Sequence, residues 1–275
     1  MQRTMSTHRT PLGALARAVL VSGFGLALCA CGGSGDSARP PEAGPSPGEV
    51  VPTPMPPGLE AEAEGLLRAG DLEGLIDLLE PIEAASMSPR VALILASALH
   101  KAQRHGAALP YFERALSAEP PVPGYAGGLH LQAWCLFQLG RLEESRELFE
   151  RHAELVPDEG DTFIGLGRIA LSEGRLDDAR SLLGRAAELH RTAAARGLDR
   201  RAGHGRALAW LGDVELARGE LGAARAALEA SVAVHPESPG AWGKLADVRA
   251  AQGDESGAED ARRRRDALEE RSAPR

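Results

Sequence analysis

The chain contains no asparagine at all, only three cysteines, and aromatic residues at 4% of its 275 positions. Other things are missing as well, and each absence excludes a class of function. No glycine-rich phosphate loop precedes a helix, and no metal motif occurs. The histidines at 100, 105, 130, 152, 190, 204 and 235 are dispersed. His100 and His105 lie five apart across a predicted helix end, which is not the spacing of two ligands on one helix face, so no metal site is expected there. Glu143–Glu144 and Asp177–Asp178 open predicted helices, where the macrodipole favours acids. Serine, histidine and aspartate form no grouping. The expectation is a protein that is not an enzyme and takes no cofactor and no small-molecule substrate.

Positive charge is also in deficit. Removing the first thirty residues, with Arg3, Arg9 and Arg17, leaves 28 basic against 39 acidic residues, a net charge of −11. That balance excludes nucleic acid as a partner and a second, electrostatic contact with an anionic membrane. The Arg262–Arg265 run is the local exception, and among Glu259, Asp260, Glu269 and Glu270 it reads as a solvated helix face.

What is present is a repeat. Loop residues Gly70, Gln103, Gly140, Gly174, Gly219 and Gly253 recur at spacings of 33, 37, 34, 45 and 34. Around Gly174, Phe163, Leu166, Gly167 and Ala170 precede the loop, while Ala179, Leu183 and Ala186 follow it. Spacings of three and four put each set on one face of a helix. Gly167 lets the partner backbone come close, and the loop glycine ends the first helix in a left-handed cap.

These residues and their period resemble the tetratricopeptide repeat family. The resemblance implies an all-α, right-handed superhelical solenoid of about six helix-turn-helix repeats, near 58–88, 89–121, 126–158, 160–192, 205–237 and 239–271. Ser145 stands where alanine is usual, Pro81 shortens the first unit, and the polar last helix suits a cap. Two stretches lengthen the period: 121–128, and 190–205, read as an extension of the second helix projecting beyond the stack and broken by Gly197, Gly203 and Gly205.

The front end is an address. Three arginines precede the uncharged apolar run Ala18–Leu28, too short for a comfortable membrane span. Leu28-Cys29-Ala30-Cys31-Gly32 then resembles a bacterial lipoprotein box, which implies cleavage after residue 30 and lipidation of Cys31. Gly32 after the cysteine fits transfer to the outer membrane, facing the periplasm. Residues 31–57, rich in Gly, Ser and Pro, read as a flexible tether. With Cys29 removed and Cys31 lipidated, Cys135 is left alone, so no internal disulfide is possible.

Tetratricopeptide arrays bind protein segments along the groove lined by their inner helices. Carried over by offset, that groove holds His100, Lys101, His130, Trp134, Phe137, Ile164, Arg168, Asp213 and Asp247. Trp134 and Phe137, three apart beside His130, read either as anchors in an open groove or as core covered by 121–128 or by repeat two. Trp210 and Trp242 read as structural. Family members that grip a C-terminal carboxylate need groove asparagines, so that clamp cannot be built here. The expected role is a non-catalytic scaffold or adaptor for an envelope protein. The alternatives are an accessory or regulatory subunit of a cell-wall enzyme or a secretion or pilus assembly complex and, from another class, a small-molecule pocket under the 190–205 insertion.

Overall fold

The computed structural model describes residue 56 and residues 58–272. The signal reading of 1–30, the Cys31 anchor and nearly all of the 31–57 tether therefore lie outside the described residues. Within the described residues there are twelve α-helices, one 3-10 turn and no strand. They form six consecutive pairs: α1 (Leu59–Ala69) with α2 (Leu72–Leu79), α3 (Pro89–Lys101) with α4 (His105–Leu116), α5 (Tyr125–Gln138) with α6 (Leu142–Leu155), α7 (Gly160–Ser172) with α8 (Leu176–Ala195), α9 (Arg201–Ala217) with α10 (Leu221–Val234), and α11 (Pro239–Ala251) with α12 (Glu255–Ser272).

All six loop positions read from the sequence adopt a left-handed backbone, with φ between 61° at Gln103 and 80° at Gly219. After each, the next N–H reaches back five residues to a carbonyl, as from Asp71 to Leu66 and from Arg175 to Ala170. That bond satisfies a carbonyl the helix end would otherwise leave open. The first helix of each pair contacts the first helix of the next, and no comparable contact joins the second helices. The odd-numbered helices thus lie on the short inner radius, which makes their outward face concave.

Pairs lock through small residues seven positions before the loop. Ala63, Ala96, Ala133 and Ala246 are fully buried there. At Gly167 and Gly212, an added Cβ would come within 2.6 Å of Leu183 and 2.7 Å of Leu228. Ser145, at an alanine site, is fully buried, and its hydroxyl donates to the Ala133 carbonyl at 2.8 Å. The core follows as three clusters in chain order rather than one centre. The last helix, α12, buries only Ala258 and Ala261, as a solenoid end requires.

The 190–205 insertion departs from its sequence reading. Its residues lengthen α8 to 20 residues, against 14 in α6 and α10, and start α9 early. Gly197 ends α8 with φ 85°, but Gly203 and Gly205 do not break helix. They are buried inside α9, because the missing side chains make room for His190 and His235. His190, 2% exposed, is held between Gly160 and Gly203, so this extension is partly core rather than a free projection.

Candidate functional site

Position six before each loop residue sets Ser97, Trp134, Arg168, Asp213 and Asp247 on successive inner helices. In the middle of that row the side chains stack. The Arg168 guanidinium carbon lies 5.3 Å from the Trp134 ring centroid and 4.4 Å from those of Phe137 and Trp210. Lys244 continues the row, its Nζ 4.2 Å from the Trp210 centroid and bonded to Asp213. Beneath, Trp134 meets Phe137 and Phe149 edge to face, with centroids 5.6 and 5.2 Å apart. The result is a ladder of aromatic rings and cations from α5 to α11.

Arg168 is unlike Arg206 and Lys244, its neighbours in the groove. It pairs with no carboxylate among the described residues, its buried Nε has no acceptor, and burial holds its pKa below the ordinary value. Arg206, by contrast, binds Asp161 at 2.7 Å. Burial works to raise the Asp161 carboxyl. The contacts of His190 and Arg206 outweigh it, leaving the group below its usual range.

A polar layer supports the stack. Trp134 Nε1 donates to His130 Nε2 at 3.0 Å, and the Thr162 hydroxyl lies 3.4 Å from His130 Nδ1 and 2.7 Å from His152 Nδ1. Burial, reinforced by His152, lowers His130 to about 4, so it is neutral and able to accept from the indole.

These groups border a cleft of about 340 Å³ on the inner face, lined among others by His100, His130, Trp134, Asp161, Arg168 and Arg206. Of the residues read from sequence, His100, His130, Trp134 and Arg168 thus come together. Phe137 packs beneath Arg168, and Lys101 and Asp247 are exposed on α3 and α11, outside the lining of the cleft. One reading is corrected: Ile164 is 3% exposed core, not groove. Asp213 stands in the row, engaged by Lys244. Trp210 packs against the core, as its position implies, and is also a rung of the ladder.

Trp134 and Phe137 are neither bare nor overlaid by the 121–128 stretch, whose Gly128 sits instead against Leu93 and Leu116. Sequence reasoning missed Asp161 and Arg206, and set His105 aside on its spacing from His100. One signal existed: Asp161 and Arg206 occupy the same position, thirteen before their loop glycines, with opposite charge.

Beneath the 190–205 segment lies a second cavity, of about 180 Å³, lined by Gly160, Leu189, His190 and Arg200 among others. It is smaller than the roughly 300–1,000 Å³ of typical ligand pockets.

Two sequence profiles of the tetratricopeptide repeat match the chain, one over 95–160 and 130–196 and the other over 205–248. No curated protein sequence matches it. Among solved structures, a chain of the APC/C hetero-tetramer Cut9–Hcn1 is 13% identical with a TM-score of 0.60, covering 76% of this chain and 39% of that one. BtubC (BKLC) from P. vanneervenii is 17% identical with a TM-score of 0.54, covering 80% and 96%. MamA from Desulfovibrio magneticus RS-1 is 17% identical with a TM-score of 0.51, covering 68% and 97%. At these identities the likeness is one of fold.

Proposed function

Because this chain is built from tetratricopeptide repeats, we propose that it is a non-catalytic scaffold holding a segment of another protein in its concave groove. The observation that carries the reading is Arg168: a cation stacked on three aromatic rings, with no carboxylate of its own. Arg168 is half-buried, with its Nε shut from water, and a cation so placed without a counter-charge is costly. A segment that lays an apolar side chain on Trp134 and points a carboxylate at Arg168 would remove that cost. Large aromatic and arginine side chains are also the usual energetic centres of interfaces.

Selection of displayed peptides on the full chain tests this. Acidic-plus-apolar segments should be enriched, and Arg168→Gln should weaken them by about 10-fold or more, the order of one charged hydrogen bond. Segments without an acid, or binding indifferent to Arg168→Gln and Trp134→Ala, would refute it.

The same reading places the scaffold at the bacterial envelope, anchored through Cys31 and facing the periplasm from the outer membrane. Its support is the charged, apolar and cysteine-box order of residues 1–32. A lipid anchor of two or more chains holds stably where one is marginal. Acyl labelling and membrane fractionation of Cys31→Ser decide the point: labelling should vanish and the protein leave the membrane, and persistent labelling would exclude the anchor.

A further inference from the structure

We propose that His100, His105 and Cys135 form a zinc-type metal site that clamps the second repeat to the third. This goes beyond the groove reading and does not depend on it. One ligand atom from each residue lies within 4.8 Å of the other two. The three come from different elements: His100 from the last turn of α3, His105 from the first residue of α4, and Cys135 from α5. Their spacing in sequence hides them, because two helices meeting at a tight turn, not one helix face, bring the imidazoles together.

The geometry suits a tetrahedral ion. His100 Nδ1 and Cys135 Sγ are 3.3 Å apart, and the two imidazole centroids are 5.5 Å apart. Zinc with nitrogen at about 2.05 Å and sulfur at about 2.3 Å holds that pair about 3.6 Å apart. That edge is therefore nearly set, and the edges to His105, no longer than 4.8 Å, are the ones that shorten on binding.

A hydrogen bond accounts for His100 and Cys135 but leaves the third residue unexplained. His105 Nδ1 is shut from water and has no hydrogen-bond partner. An orphaned polar atom is costly, and a bound cation removes the cost. Two imidazoles and one thiolate without a carboxylate suit a borderline-soft ion and disfavour calcium and magnesium.

Burial holds the Cys135 thiol up at about 12, so the free protein carries S–H. The metal–sulfur bond replaces the S–H bond, and the proton leaves to solvent. Three protein ligands leave a fourth position. His100 and His105 also line the 340 Å³ cleft, so that position opens toward the groove, where water or a donor atom of the bound segment completes the tetrahedron.

The test uses the full chain carrying Cys29→Ser and Cys31→Ser, which leaves Cys135 as the sole thiol. Titration with cobalt(II) at neutral pH should give one equivalent, a thiolate-to-cobalt charge-transfer band and tetrahedral d–d absorption, all bleached by zinc. His105→Ala, at a part-exposed position that leaves the core filled, should lose the tetrahedral absorption and bind at least about tenfold more weakly. His235→Ala should match the parent. Zinc should also raise the melting temperature of the parent and not of His105→Ala. Absence of the charge-transfer band at stoichiometric cobalt would overturn the proposal. So would a band of equal intensity in the His100→Ala, His105→Ala double variant, which would show the thiol acting without the imidazoles.

Discussion

At Gly167 and Gly212 a single hydrogen atom decides how near two helices come. An alanine Cβ at either would stand within 2.7 Å of a buried leucine. Overpacking of that kind typically costs about 1–3 kcal/mol, so Gly167→Ala should lower stability by that amount in chemical denaturation, although alanine is the better helix former. Gln103 presents the opposite case. It is the one non-glycine residue among the six loop positions, at φ 61°, where a side chain costs about 1–2 kcal/mol. Gln103→Gly should recover part of that, about 0.5–1 kcal/mol net of the added chain entropy. Both positions were legible, because the repeat register assigns each a job.

His130 gives a pH dependence whose sign is fixed. Its folded pKa, about 4, lies below the ordinary 6.5, so the unfolded chain binds the proton more readily. Stability from this group is therefore complete above pH 6.5 and declines as pH falls toward 4, by about 3 kcal/mol across the window. The groups facing it are His152, Asp161, His100 and Arg206. Denaturation at successive pH values should show a shallower loss between pH 6.5 and 4.5 in His130→Gln than in the parent. Equal slopes would mean that His130 does not carry the dependence.

At the scale of the element, the lengthened α8 shows where sequence reading fails. Glycines inside 190–205 look like breakers when only local propensity is weighed. In the fold they are the gaps into which His190 and His235 fit, a tertiary reason that overrides propensity. His190→Ala should therefore cost about 2 kcal/mol or more by leaving a cavity, whereas Leu198→Ala, at 54% exposure, should stay within about 0.5 kcal/mol. Equal effects would return the segment to a free projection. The cation–aromatic ladder was half visible for a related reason. Offsets named Trp134, Phe137 and Arg168, but the stacking of Arg168 on Trp210 joins different registers of adjacent repeats, which no single-repeat pattern records. The His100–His105 pair was visible but dismissed on its spacing, because its meeting with Cys135 of the next repeat likewise lies outside any single-repeat pattern.

Over the whole described molecule, the core is a chain of three neighbouring clusters, so stability is a sum over adjacent pairs rather than one all-or-none centre. The ends have the fewest buried side chains, Ala63 alone in α1 and two alanines in α12. Amide exchange should accordingly appear first in α1 and α12 and last in α7 and α8. Repeat number, helix pairing and concave face all follow from the loop spacing, and so were legible. What the groove holds depends on side chains meeting across repeats, and it is there that function is decided.

The most direct measurement of that point is photo-crosslinking in cells. A photoreactive amino acid at position 134 is compared with one at position 168 and with one at Glu147, exposed on the outer helix α6. The groove account predicts one dominant protein adduct from 134 and 168, mapped to a single acidic segment of the partner, and none from 147. Adducts spread evenly over all three positions, or found only at 147, would contradict it.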